Sequence, residues 1–302
     1  MLDGRDVLLG SGTMVTTPLM TPALAQSTTA PATQGGFVER PGCRVYYEVT
    51  GAGPPLLFAH GLGSNHLTWW QQVPHFAEHY TCVTFAHRGY APSSEIPGGP
   101  DPLDAAGDLA ALIDHLQLTD VRLVAQSQGG WASIEYLLSN PHTVRALVLV
   151  STCGTIHKPS IPLTDSQRLP AWERQAAEAR ADMQRHGISP PAGARMAREQ
   201  PALHFLYRAI ANINARLDRE ALRTRSRAIA TRSPDVLRGF HMPTLFVTGE
   251  EDTTYAPFLS DALVTLMPNA RVEQLRQTGH SPYFERASIF NHVVDRFLAS
   301  VG

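Results

Sequence analysis

From Gly36 onward, short apolar runs take turns with helical patterns, and this alternation constrains the fold more than any other feature of the chain. RVYYEVTG (44–51), PPLLFAHG (54–61), YTCVTFAHRG (80–89), VRLVAQ (121–126), ALVLVST (146–152), PTLFVTGEED (243–252) and ARVEQLR (270–276) read as strands, the first two joined by a Gly-Ala-Gly turn. Between them, HLTWWQQVPHFAEH, with Pro74 near a bend or an end, and DPLDAAGDLAALIDHLQL, opened by Asp101 and Pro102, read as helices. So do a segment from Gln128, APFLSDALVTLM (256–267) and ASIFNHVVDRFLAS (287–300). The strands at 54–59, 121–126 and 146–150 are apolar runs rather than alternating ones. A strand of that kind is covered on both faces, which argues for a mostly parallel sheet sandwiched by helices.

The alternation breaks once. AWERQAAEARADMQRHG, ARMAREQPALHFLYRAIANINARL and REALRTRSRAIA follow one another between Thr155 and Asp235 with no strand pattern between them. Residues 155–235 therefore read as a helical cap inserted after ALVLVST, the sixth of eight strands when one ahead of Arg44 is counted, and 37–154 with 236–302 as the core.

The first 36 residues differ from the rest. A mildly apolar stretch ends in Ala-Leu-Ala at Ala25, and a Thr/Ala/Pro/Gln/Gly tract follows. This is the pattern of an export signal with a flexible linker, and GRDVLL resembles a twin-arginine signal with Gly4 in place of the first arginine. Export to the periplasm or medium is the expectation, with a disordered cytoplasmic tail as the alternative.

Composition narrows the functional classes. A formal net charge of −2 and the lack of a basic motif argue against nucleic acid. No stretch approaches the roughly 18 uncharged apolar residues of a membrane span. Cys43, Cys82 and Cys153 are an odd count without a CxxC pattern and read as small buried core residues. No histidine stands in an HExxH or similar pair, so no metal site is expected.

The end of the fourth of these strands is unusual. VRLVAQSQGG carries a hydroxyl between two amides, then two glycines, before a helical pattern begins. Ligand sites in open parallel sheets lie beyond the carboxyl ends of the strands, where Ser127 falls. A serine held in a sharp strand-to-helix turn needs small neighbours two residues away on either side, and Ala125 and Gly129 supply them. Gly130 would let the new helix pack closely on the sheet. By itself the pentapeptide also fits a serine that merely caps a helix.

AQSQG resembles the nucleophile elbow G-x-S-x-G of the α/β-hydrolase fold, with Ala125 for the first glycine. LFVTGEEDTTY resembles the family's G-x-x-D acid turn and QTGHSPYFE its histidine loop. FAHGLGSN resembles the His-Gly oxyanion loop. AHRGYAPSS resembles D-x-R-G-x-G-x-S, with His87 for Asp and Ala91 for the second Gly. The likeness spans roughly residues 37 to 300.

The resemblance implies an eight-stranded α/β-hydrolase sheet and a catalytic set of Ser127, Asp252 and His280. It implies an oxyanion hole from the N–H groups of Leu62 and Gln128, with His60 as a structural loop residue. Trp131, Phe205, Tyr207 and Tyr255 are pocket candidates, with ordinary packing the competing role for each aromatic. The implied activity is cofactor-free hydrolysis of a small ester or lactone through an acyl-Ser127 intermediate. Carbon–carbon bond hydrolases, haloperoxidase-like perhydrolases and cofactor-free dioxygenases use the same residue set and stay open. A non-catalytic ligand receptor is the alternative of another class.

Overall fold

The computed structural model describes residues 32–301. An eight-stranded sheet runs through it, made of β1 (Thr33–Arg40), β2 (Cys43–Thr50), β3 (Pro55–Ala59), β4 (Thr81–Phe85), β5 (Val121–Gln126), β6 (Val144–Val150), β7 (Thr244–Gly249) and β8 (Ala270–Leu275). Their spatial order is β1-β2-β4-β3-β5-β6-β7-β8. β1 and β2 pair antiparallel, as do β2 and β4, and every pairing from β4 through β3 to β8 is parallel. The carboxyl ends of β3 through β8 therefore share one edge of the sheet.

Successive residues of a strand point to opposite faces, and here they feed two cores. Leu57, Leu123, Leu147 and Phe246 face Leu109 and Leu112 of α2 (Asp104–His115), Ile134 and Leu137 of α3 (Gln128–Ser139), and Leu259 of α8 (Phe258–Val264). Their sequence neighbours Leu56, Val124, Val148 and Leu245 face Phe76 of α1 (Val73–Phe76) and Phe290, Val294 and Phe297 of α10 (Ala287–Ala299). The continuous apolar runs are thus explained by a sheet buried on both sides.

Between β6 and β7 lie α4 (Arg168–Arg185), α5 (Ala194–Glu199), α6 (Pro201–Asn212) and α7 (Arg219–Ile229), with short 3-10 turns. The two ends of this excursion are pinned together: Ile156 and Arg232 form an isolated parallel bridge, and Arg232 pairs with Glu135 of α3 at 2.7 Å.

Three boundaries differ from expectation. β1 begins at Thr33, so residues 33–36 belong to the sheet and not to a linker. Gly36 pairs with Tyr47, and a Cβ on Gly36 would stand 2.5 Å from the Tyr47 hydroxyl, so the glycine makes room for a ring on the neighbouring strand. The expected helix at 66–79 is a 3-10 turn, His66–Trp69, followed by the single turn α1, which starts beside Pro74 as proline's missing N–H requires. Pro201 likewise opens α6 and divides it from α5. The signal-like segment through residue 31 lies outside the described residues. No helix among the described residues is long and apolar enough to cross a membrane.

Candidate active site

Ser127 follows β5 and precedes α3, with φ 50° and ψ −112°. A non-glycine residue in such a conformation costs about 1–3 kcal/mol and persists only where its surroundings enforce it. Here the Ser127 N–H donates to Val150 O at 3.0 Å, and its carbonyl accepts from Gly130 N–H at 3.0 Å and from Thr152 Oγ1 at 2.8 Å. A Cβ on Gly129 would meet the Ala59 carbonyl oxygen at 2.3 Å. The glycine therefore lets α3 begin directly against β3, and the serine half-exposed at the turn faces the edge where the strands end.

The acid and the imidazole come from the two outer parallel strands. β7 ends at Gly249, whose missing side chain allows the histidine loop to lie against it: a Cβ there would be 1.9 Å from Gly279 O. The Glu251 N–H donates to Thr278 O at 2.8 Å across the same contact. Asp252 Oδ2 then accepts from His280 Nδ1 at 2.8 Å, while its Oδ1 accepts the N–H groups of Thr254 (2.7 Å) and Tyr255 (2.9 Å). Both side chains are buried. With Nδ1–H committed to a carboxylate, the lone pair of His280 sits on Nε2. Glu251 is on the outside, paired with Arg195 at 2.5 Å.

Gln126 links these two parts. Its Nε2 donates to the His280 carbonyl at 3.2 Å, so the residue before Ser127 is tied to the backbone of the histidine.

Leu62 and Gln128 are joined through Tyr90. The buried Tyr90 hydroxyl lies 3.1 Å from Leu62 O and 2.8 Å from Gln128 Oε1. A phenol carries one proton, and the oxygen and nitrogen of an amide are assigned from their partners. Both contacts are satisfied when the Gln128 amide turns its NH2 toward Tyr90 and Tyr90 donates to Leu62 O. Arg88 anchors this loop to α2 by bonds of 2.6 and 2.5 Å to Asp108.

His60 is fully buried beneath it. His60 Nε2 accepts the His87 N–H at 3.0 Å, so His60 Nδ1–H donates to Gly61 O at 2.8 Å, and His87 Nε2 donates to His60 O at 3.1 Å. Burial holds His60 well below the usual imidazole range and His87 down at about 4, so both rings are neutral struts near pH 7.

The aromatic candidates divide. Trp131 is half-buried on the first turn of α3. Tyr207 is buried, with its ring edge-on to Phe284 and its hydroxyl 3.2 Å from Ser281 Oγ, next to His280. Tyr255 serves Asp252 through its N–H, and its buried ring packs in the core with the hydroxyl on Ser260 Oγ at 3.0 Å. Phe205 is 75% exposed: α6 buries the face carrying Tyr207, Ile210 and Ala211 and turns Phe205 to solvent.

The α4–α7 excursion meets the site-bearing loops at several points. Ser281 Oγ donates to Pro191 O at 2.8 Å, Gln200 Nε2 to Glu285 O at 3.2 Å, and Asn214 Nδ2 to Ser64 O at 3.2 Å. Asn214 Oδ1 accepts from Ala91 N–H at 2.8 Å, and Arg180 donates to Thr253 O.

Gln126, Tyr90 and Glu285 were not singled out from sequence. Gln126 carries a signal, being a polar residue at the end of a buried strand, whereas Tyr90 and Glu285 show their partners only once folded. The three cysteines are buried and free, with burial raising all three thiols and pushing Cys82 up to about 12. Among the described residues, no three His, Cys, Asp or Glu side chains gather as a metal site would require.

Known proteins are similar to this chain over most of its length. A protein of Mycobacterium tuberculosis with the provisional name non-heme bromoperoxidase BpoC is 27% identical over 267 residues, spanning 84% of this chain and 97% of that protein. The 3-oxoadipate enol-lactonase 2 of Acinetobacter baylyi is 27% identical over 266 residues, 81% of this chain and 88% of that enzyme. Among solved structures, Est816, described as an N-acyl homoserine lactone degrading enzyme, superposes with a TM-score of 0.69 at 24% identity, covering 87% of this chain and 100% of that one. The profile of the alpha/beta hydrolase fold matches residues 54–287, well over half of the sequence, and the chain belongs to that family.

Proposed function

We propose that this protein is a serine hydrolase that cleaves a small carboxylic ester or lactone. The observation that carries the reading is the strained Ser127 turn, tied through Gln126 to a buried His280 whose Nδ1 is committed to Asp252. A lone pair on Nε2 and a hydroxyl raised at the start of a helix are the requirements of a general base and its nucleophile. The names of the enol-lactonase and of the lactone-degrading enzyme agree with this substrate class.

In the first step His280 Nε2 takes the Ser127 proton as Oγ attacks the carbonyl carbon. The resulting oxyanion is held by the N–H groups of Leu62 and Gln128, the second reinforced by the α3 N-terminus. The imidazolium gives its proton to the departing alkoxide, leaving acyl-Ser127. Water, deprotonated by His280, then attacks the acyl carbon, and Ser127 is regenerated as the acid leaves. Asp252 holds the tautomer and balances the imidazolium charge. The α4–α7 excursion acts as the cap, joined to the loops that carry Ser64, Ala91, Thr253 and Ser281, and restricts which acyl and alcohol groups reach Ser127.

Ser127→Ala tests the reading with a p-nitrophenyl ester. A loss on the order of 10⁶ in turnover is expected, together with loss of the covalent fluorophosphonate adduct that mass spectrometry finds on wild-type Ser127. Retention of more than a few percent of wild-type activity refutes it. A second reading, acyl transfer from Ser127 to hydrogen peroxide, is favoured by the bromoperoxidase name of one relative. It predicts peracid formation when peroxide is added to the same ester assay.

A further inference from the structure

Glu285, five residues after His280 and the last residue of the single-turn helix α9 (Pro282–Glu285), is a carboxyl group with 3% of its surface exposed. Its Oε2 accepts the Gly279 N–H at 2.8 Å and its Oε1 accepts the Ser281 N–H at 3.1 Å. Those two peptide groups bracket His280 on either side. Burying a carboxyl group costs several kcal/mol unless its oxygens are bonded, and a side chain of the same volume would fill the space without that cost. The bonds themselves are therefore the feature to explain.

We infer that Glu285 is a positioning residue for His280: its two oxygens clamp the peptide N–H groups on both sides of the histidine and set where the imidazole stands relative to Ser127. The inference rests on the serine-hydrolase reading above. The rest of the clamp is rigid. Gln200 of the excursion bonds the Glu285 carbonyl, Ser281 Oγ bonds Pro191 O, and a Cβ on Gly193 would lie 3.4 Å from Glu285 Oε2, which closes the far side of the carboxyl group. Gln126 fixes the His280 carbonyl from the sheet side. The 280–281 peptide is thus held at its carbonyl by Gln126 and at its N–H by Glu285, which also holds the Gly279 N–H.

The clamp is sensitive to pH. Burial pushes Glu285 up to about 8, against the two N–H donors and Arg286, which favour the anion. The other titratable groups facing it are Asp252, which adds to the rise, and Tyr207 and Tyr283, both raised by burial. As pH rises through about 8, the carboxylate forms and both N–H bonds become charge-assisted, which tightens the loop. Activity should therefore gain a step near that pH. Stability moves the other way. A carboxyl whose folded value is raised loses its contribution to stability as pH climbs from the unfolded value toward the folded one, so the contribution of Glu285 falls between about 4.5 and 8.

Glu285→Gln separates clamping from space filling, because it keeps the volume but turns one acceptor into an NH2 that faces a peptide N–H. The expected result is a fall in kcat of about 10²-fold, as a misplaced catalytic group gives, with little change in KM. The step near pH 8 in kcat/KM should also disappear. An unchanged kcat and pH profile in a folded Glu285→Gln protein overturns the inference. If that variant does not fold, the downfield Nδ1–H proton resonance of His280 in the wild type decides: an inflection near pH 8 supports the clamp and its absence refutes it. Wild-type protein that neither turns over ester nor takes the fluorophosphonate on Ser127 marks failure of the serine-hydrolase reading instead.

Discussion

Replacing Gly129 by alanine adds one methyl group where α3 meets β3. That carbon would lie 2.3 Å from Ala59 O, 2.7 Å from Ala59 C and 2.9 Å from Ala59 Cβ, whereas ordinary contact begins at 3.4 Å. The shortfall to the oxygen is 3.4 − 2.3 = 1.1 Å. The atoms met are backbone and a Cβ, with no flexible side-chain end that can swing away. The start of α3 must lift off the sheet by an amount of that order. Overpacking of this kind costs about 1–3 kcal/mol, which corresponds to a melting temperature lower by roughly 2–12 °C. The functional effect is larger, because Gln128 N–H and Ser127 move with the helix start. A displacement of about 1 Å in a catalytic group costs on the order of 10²-fold in rate. Initial rates on a p-nitrophenyl ester, with a thermal melt of the same preparation, measure both effects. Gly239→Ala is the control, since a Cβ there meets nothing within 4 Å and both quantities should be unchanged. Wild-type kcat/KM and melting temperature in Gly129→Ala would refute the argument that close approach at this glycine positions the serine turn.

Two further outcomes follow from the site. Asp252→Asn should lower kcat by roughly 10⁴ through the wrong histidine tautomer. Glu251→Gln, which only loses an exposed pair with Arg195, should stay near wild type, so a large loss there instead would move the acid by one residue. Tyr90→Phe removes the hydroxyl between Leu62 O and Gln128 and should lower kcat by roughly tenfold with KM little changed, following about 1–1.5 kcal/mol for the lost bonds. Wild-type kcat in Tyr90→Phe would show that the loop is held without it.

Sequence alone determined those features that depend on neighbours along the chain. The apolar runs at 121–126 and 244–249 bury every residue because a parallel sheet is covered on both faces. The serine turn was legible because its steric demands fall on Ala125 and Gly129, two residues away. Gly249 and Asp252, and Gly279 with His280, were recognisable as loops at strand ends, and the structure joins Asp252 to His280 at 2.8 Å. Other features were decided only by tertiary structure. Gly35 and Gly36 look like linker until the rings of Tyr46 and Tyr47 take the space their side chains would need. Phe205 and Tyr207 stand two positions apart on one helix, and only packing against Phe284 chooses which of them faces inward. Tyr90 to Gln128 spans 38 residues and Gln126 to His280 spans 154, and neither pairing leaves a local periodicity or a turn signal. Hydrophobic burial writes itself into the sequence as a repeating pattern, but a single buried hydrogen bond has no period. Its partner is known only when the chain has brought the two groups within reach of each other.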